Sequence, residues 1–223
     1  MKLKGKIINF LGDSITEGCC VENHYNRYDN ILKRKYELKE AYNYGIGGTR
    51  LAHQQVASAN PRFDLCFCGR AHNLNKDADI IVVYGGVNDY IHGDTPIGNE
   101  NDTTPATFNG AVNYLMNFLK NEYPNSKIVF MTPAHCHFCG VSDMEISKNE
   151  NKREDAMPLQ GYVNIIERAG LKNEVSVLNL FDNLGLDPND EKIRNEFTAD
   201  GLHYNDKGQY YIAECLGKFL ESL

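Results

Sequence analysis

A serine, a histidine and an aspartate stand in the settings that nucleophilic catalysis requires. Ser14 lies in Gly12-Asp13-Ser14-Ile15, directly after the chain's first apolar run, residues 7–11, while Asp200 and His203 lie in Asp200-Gly201-Leu202-His203 near the other end. A serine hydroxyl is a poor nucleophile until an adjacent base takes its proton, and the base works best when a carboxylate fixes its tautomer and steadies the imidazolium. Their spacing lets Asp200 and His203 meet within one turn. Ser14 stands where a strand should end and a helix begin, which would project its side chain from the carboxyl edge of a sheet and aim helix-start N–H groups at a developing oxyanion. Taken alone, it reads equally well as an N-cap or turn serine.

Two more segments sit in equivalent places. Asn43-Tyr44-Gly45-Ile46-Gly47-Gly48-Thr49 follows a short strand-like segment, and Tyr84-Gly85-Gly86-Val87-Asn88-Asp89 follows the apolar run Ile80-Ile81-Val82-Val83. Glycine lets a backbone approach a substrate closely, and an asparagine amide is a neutral donor to an oxyanion. Tight-turn geometry explains the glycines as readily, and a loop cap explains Asn88.

These four blocks, in this order across residues 12–203, resemble those of the SGNH hydrolases, the GDSL-type esterase and lipase superfamily. The resemblance implies Ser14 as nucleophile, His203 as base and Asp200 as its partner, with the Ser14 backbone, the Gly48 backbone and the Asn88 side chain forming the oxyanion hole. Gly47 is a spare candidate beside Gly48. Ile15 replaces the leucine of the family name, a volume-conserving change that leaves the polar chemistry alone. The implied activity is two-step hydrolysis of a carboxylic ester through an acyl-enzyme, with no metal and no organic cofactor. Simple carboxylesterases, carbohydrate deacetylases, lysophospholipases and thioesterases all fall within the resemblance. A short acyl group, such as acetyl on a carbohydrate, is the expected substrate, since no strongly apolar lid segment stands ready for a long chain. A non-catalytic carbohydrate binder on the same scaffold is the alternative from another class.

Competing signatures are missing or incomplete. No Gly-x-Ser-x-Gly elbow occurs, Arg50 occupies the last position of what would be a Gly-x-Gly-x-x-Gly run from Gly45, and no Walker-type Gly-Lys-Ser/Thr is present. The chain has 23 Lys+Arg against 30 Asp+Glu, a formal charge of −7 that disfavours nucleic acid and anionic membranes as partners. A small-molecule ester is the expected partner, with no membrane insertion. The apolar stretch after Lys2, Lys4 and Lys6 is too brief for a signal-peptide core, and seven cysteines is an odd number, so a reducing cytoplasmic location is expected. Cys66-Phe67-Cys68 and His135-Cys136-His137-Phe138-Cys139 hold zinc-type ligands, but their spacing matches no standard zinc pattern. They read as small buried thiols and loop histidines.

The elements that must position this chemistry alternate. Strand-like runs at residues 6–11, 41–44, 80–84, 127–132 and 175–180 are separated by stretches that can hold helices, the pattern of βαβ units. One helix is predicted from an N-cap at Thr104 with Pro105 at its first position to about Tyr123, burying Phe108, Val112, Leu115 and Leu119. Another is predicted over residues 23–38, and a last one, capped by Asn205 or Asp206, is expected to turn Tyr211, Cys215, Leu216 and Phe219 to the core. The expectation is one domain spanning residues 1–223: a flavodoxin-like three-layer α/β sandwich with a five-stranded parallel sheet, whose order 2-1-3-4-5 is implied by the resemblance. Residues 51–76, 92–104 and 134–151 are left over to wall the site, and Asp13, Arg50, Tyr90 and His92 are candidate substrate contacts.

Overall fold

Short runs of Ile, Val, Leu and Phe can bury both faces of a strand at once, and such runs build the three central strands of the sheet. The computed structural model describes residues 1–146 and 152–223, so the last five residues of the 134–151 segment lie outside the described residues. In chain order the strands are β1 (Ile7–Gly12), β2 (Glu40–Gly45), β3 (Ile80–Tyr84), β4 (Lys127–Met131), β5 (His137–Phe138), β6 (Val141–Ser142) and β7 (Ser176–Leu178). Five of them form a parallel sheet in the order β2-β1-β3-β4-β7, while β5 and β6 pair antiparallel as a separate hairpin. Counting only strands of the main sheet, this is the expected 2-1-3-4-5.

The helices are α1 (Ser14–Glu17), α2 (Tyr28–Lys35), α3 (Phe67–Arg70), α4 (Val87–His92), α5 (Phe108–Glu122), α6 (Asp143–Ile146), α7 (Leu159–Asn173), α8 (Leu180–Asn183), α9 (Glu191–Phe197) and α10 (Asp206–Ser222). They cover the sheet in two layers because side chains alternate along each strand. Ile81 and Val83 of β3 join a core with Phe108, Val112, Leu115 and Leu119 of α5 and Ile165 and Ile166 of α7. Ile80 and Val82 point the other way, into a core with Ile31 and Leu32 of α2 and Ile212, Leu216 and Leu220 of α10. Each such aliphatic side chain contributes about 1.5–3 kcal/mol when fully buried. None of the described helices is long and apolar enough to cross a membrane.

Three helix expectations need correction. α5 starts at Phe108: Thr107 is its cap, accepting the Gly110 N–H at 3.1 Å and donating to Asp102 at 2.9 Å, while the Pro105 carbonyl is occupied by the His53 N–H. The 23–38 helix is split, because Asn23 caps a single 3-10 turn, His24–Asn26, and Arg27 is extended before α2 begins. On α10, capped by Asn205, Leu216 is buried and Cys215 and Phe219 pack against the core as expected, but Tyr211 is 44 % exposed, and Gln209, Ile212, Ala213 and Leu220 are buried. Gln209 faces inward as well. Its amide donates to the Ile15 carbonyl at 3.1 Å and accepts the Tyr28 N–H at 3.0 Å, so a polar residue must face inward.

Register brings the chemistry to one edge. Gly12 lies opposite both Gly45 and Tyr84, so β1, β2 and β3 end level, and the segments carrying Ser14, Gly48 and Asn88 leave the sheet side by side.

Candidate active site

Ser14 is the first residue of α1, two residues past the carboxyl end of β1, and Asp13 caps the helix by accepting the Ile15 N–H at 3.0 Å. The turn packs tightly on the end of β2. A β-carbon at Gly45 would come within 2.1 Å of the Glu17 nitrogen, so only glycine permits this approach. Arg70 then clamps the junction from behind, donating to the Gly12 carbonyl at 3.0 Å, the Thr49 hydroxyl at 2.9 Å, the Leu65 carbonyl at 2.8 Å and the Tyr44 carbonyl. Burial lowers its pKa to about 10. Asn43 braces the same junction, donating to the Thr16 carbonyl at 2.6 Å and accepting the Gly45 N–H at 2.9 Å.

His203 reaches Ser14 from the segment before α10. Its Nε2 lies 2.9 Å from Ser14 Oγ, and its Nδ1 lies 2.7 Å from Asp200 Oδ2. The second Asp200 oxygen accepts the N–H groups of Leu202 at 3.0 Å and His203 at 2.8 Å. Burial opposes ionisation of Asp200, but the ring and backbone donors outweigh it and hold the carboxyl at about 2. The carboxylate is thus an anion throughout the physiological range, with the imidazole oriented between it and the serine.

Gly47 and Gly48 are separated by their partners. The Gly47 N–H donates to Glu17 at 2.7 Å, whereas no hydrogen bond within the described residues takes the Gly48 N–H. Gly48 has φ 76°, and a β-carbon there would meet the Phe63 ring at 2.6 Å. Asn88, on the first turn of α4, donates one amide hydrogen to the Thr49 carbonyl at 3.1 Å and so retains a second. Its neighbour Asp89 is fully buried and accepts the Leu51 and Ala52 N–H groups at 2.9 and 3.0 Å, one on each oxygen. Burial pushes the Asp89 carboxyl up to about 7, against those two bonds.

Ser14, Gly48, Asn88 and His203 share a pocket of about 440 Å³ with Glu17, Cys19, Gly47, Arg62, Phe63, Ile91, His92, Phe138 and Leu202. Each leftover segment contributes: Arg62 and Phe63 from 51–76, His92 from 92–104, and Phe138 from 134–151. A larger hollow of about 540 Å³ near Ile31, Phe197 and Tyr211 contains none of these groups.

Three of the four expected substrate contacts stand outside this pocket. Asp13 is buried as the α1 cap; Arg50 is buried and paired with Asp94 at 2.9 Å; Tyr90 is buried with its hydroxyl on the Asp143 carbonyl. Those internal bonds hold all three off the wall, even though Arg50 Nε is buried with no partner among the described residues. Only His92 lines the pocket, its pKa lowered by burial and by the Arg50 charge. Of the Cys/His segments, Cys66, Cys68 and Cys136 are buried, and His135 pairs with Asp143 at 2.7 Å against the Phe181 ring. Among the described residues, neither segment gathers three metal-type ligands. Glu17 was discoverable from its position one turn beyond Ser14, whereas Arg62, Phe63 and Arg70 carry no local signal.

A model of the GDSL-like lipase/acylhydrolase family matches residues 10–210. No curated protein matches the chain in sequence. One solved structure is 26 % identical, covers 100 % of this chain and 99 % of its own, and superposes with a TM-score of 0.85. A protein from Lactobacillus plantarum is 27 % identical over 98 % of both chains, with a TM-score of 0.81. The acetyl xylan esterase AlAXEase shares the fold at 20 % identity, covering 95 % of this chain and 98 % of its own, with a TM-score of 0.61.

Proposed function

The chain belongs to the GDSL-like lipase/acylhydrolase family, and from that premise we propose that it hydrolyses carboxylic esters of short acyl groups through Ser14, His203 and Asp200. The observation that carries this reading is His203 held between Ser14 Oγ at 2.9 Å and the Asp200 carboxylate at 2.7 Å. His203 Nε2 takes the hydroxyl proton as Ser14 Oγ bonds to the ester carbonyl carbon, whose π electrons move onto oxygen. The resulting oxyanion is received by the Ser14 N–H, the Gly48 N–H and the Asn88 amide. Such donors act most strongly on charge that develops only in the transition state. The imidazolium, steadied by Asp200, protonates the leaving alkoxide as the C–O bond breaks. Water then enters, gives its proton to His203, and releases the acid by the reverse sequence.

The pocket supports a short acyl group. Phe63, Ile91, Phe138 and Leu202 offer apolar contact beside the serine, while Arg62, Glu17 and His92 supply polar wall suited to an oxygen-rich alcohol such as a sugar. Acetyl on carbohydrate is therefore the leading substrate class. The test is a screen of wild type and Ser14→Ala on nitrophenyl esters of graded length and on acetylated sugars. Short esters should turn over in the wild type, with a loss on the order of 10⁶-fold in the variant. Equal turnover by Ser14→Ala, or no ester cleaved by the folded wild type, would overturn the reading.

A further inference from the structure

Cys20 takes no part in the hydrolysis proposed above, yet its thiol lies near His203, which would move the proton, and Asp200, which would steady it. One ligand atom each from Cys20, Asp200 and His203 lies within 4.8 Å of the other two, the only such group of three among the described residues. The backbone puts the thiol there. Gly18 closes α1 in the left-handed region at φ 90°, and Cys20 follows at φ 66°, a conformation that a β-carbon disfavours. Cys20 is also exposed, so the group can be reached from solvent.

We propose that Cys20, Asp200 and His203 form a reversible inhibitory site for Zn²⁺. The metal is a regulator here and not a cofactor, and the inhibition, though not the binding, rests on His203 being the base. Thiolate, imidazole and carboxylate are zinc's own ligand types, at about 2.3 Å to sulfur and about 2.0–2.2 Å to nitrogen and oxygen. At tetrahedral angles those lengths set the ligand atoms about 3.3–3.6 Å apart. From the 4.8 Å limit Cys20 has to close by at most about 1.2–1.5 Å, within the reach of side-chain rotation at an exposed cysteine, whereas Asp200 Oδ2 and His203 Nδ1, 2.7 Å apart, have to open slightly if both ligate.

Binding breaks the Cys20 S–H bond, forms an S–Zn bond and sends the proton to solvent. His203 gives the metal one ring lone pair. If that is Nε2, zinc displaces the Ser14 hydroxyl; if it is Nδ1, the ring proton moves to Nε2, which then donates where it must accept. Either way the imidazole can no longer take the Ser14 proton. Hard cations such as Mg²⁺ and Ca²⁺ prefer all-oxygen sites and should not compete.

The experiment uses the full chain, stripped of metal, with Zn²⁺ as the probe. Stoichiometry is read by competition with a chromophoric chelator, ligation by the thiolate-to-metal absorption of Co²⁺, and inhibition by ester turnover. One zinc per chain should bind, turnover should fall at least about tenfold and return with chelator, and Mg²⁺ and Ca²⁺ should do nothing. Cys20→Ser should keep metal-free turnover while its zinc inhibition weakens about tenfold or more. Equal zinc inhibition in Cys20→Ser, or no Cys20-dependent cobalt absorption, would overturn the site. An active enzyme indifferent to zinc overturns the site alone. A protein that binds zinc through Cys20 but cleaves no ester overturns the hydrolase reading and leaves the site standing.

Discussion

Asp13→Asn should stabilise the protein at alkaline pH and slow it at the same time. The Asp13 carboxyl is fully buried, and burial lifts it from 3.8 to about 6 against the Ile15 N–H bond and the nearby His203 and Arg70 charges. Because the folded value lies above the unfolded one, the native state holds an extra proton between the two. The stability this provides is full below 3.8 and is lost as the pH rises through about 6. At about 1.36 kcal/mol per unit, the shift from 3.8 to about 6 is worth about 3 kcal/mol. Roughly two-thirds of it, about 2 kcal/mol, disappears between about pH 4.5 and about pH 8. Asparagine is uncharged throughout and keeps an amide oxygen for the Ile15 N–H, so its advantage over aspartate should grow by about 2 kcal/mol across that range. For a chain of 223 residues that is about 4–8 °C in Tm. Urea unfolding of both proteins at the two pH values measures it. The reasoning fails if the stability gap between them is the same at both, within about 0.5 kcal/mol. The lower kcat has a reciprocal cause: if the His203 charge favours ionised Asp13, ionised Asp13 favours the imidazolium that forms during acyl transfer.

The other site residues give sharper kinetic signatures. Asn88→Ala should lower kcat on the order of 10²–10³-fold with little change in KM, since the amide bonds mainly in the transition state; a lower Tm with normal kcat would leave Asn88 a loop brace only. Gly48→Ala places a β-carbon 2.6 Å from the Phe63 ring at φ 76°, so kcat should fall with the displaced N–H, and Phe63→Ala in the same chain should recover part of it. Stopped kinetics with both variants folded would settle this, because no recovery would remove the Phe63 collision from the explanation.

What the sequence made legible is what depends on neighbours along the chain. The strand-like runs fell on the five strands with ends within two residues, the last stopping at Leu178 because Leu180 already starts a helix. The Asp200–His203 spacing closed as a hydrogen bond of 2.7 Å. What escaped depends on partners far away. Tyr211 was expected inside because its type and period suit a core, but Gln209 must face inward to bond Ile15 and Tyr28, 194 and 181 residues distant in sequence. Arg70 gave no signal, since an arginine buried among backbone carbonyls looks the same in sequence as one in water. Arg50 and Tyr90 were placed on the wall by their position just beyond the glycine and Asn88 blocks, and Asp94 and the Asp143 carbonyl took their polar ends inside.

Those misplacements share a pattern with the residues that were placed well. In each block one residue faces the pocket and a near neighbour is consumed in holding it there: Asp13 caps the turn that carries Ser14, Asn43 ties the strand end before Gly48 to Thr16, and Asp89 anchors the Leu51 and Ala52 backbone beside Asn88. Polar residues clustered around a nucleophile therefore divide into groups that meet substrate and groups that meet backbone. A buried carboxylate bonded to N–H groups belongs to the second kind, however close it lies to the first. The same division explains the burial-raised Asp13 and Asp89 carboxyls beside a depressed Asp200. Asp13 and Asp89 are fully buried against backbone, so desolvation dominates, while Asp200 is partly open and holds an imidazole as well, so hydrogen bonding dominates. Of the three, Asp200 alone is hydrogen-bonded to His203 and held low, which suits it to the partner role proposed above, while Asp13 acts on the same ring only through its charge.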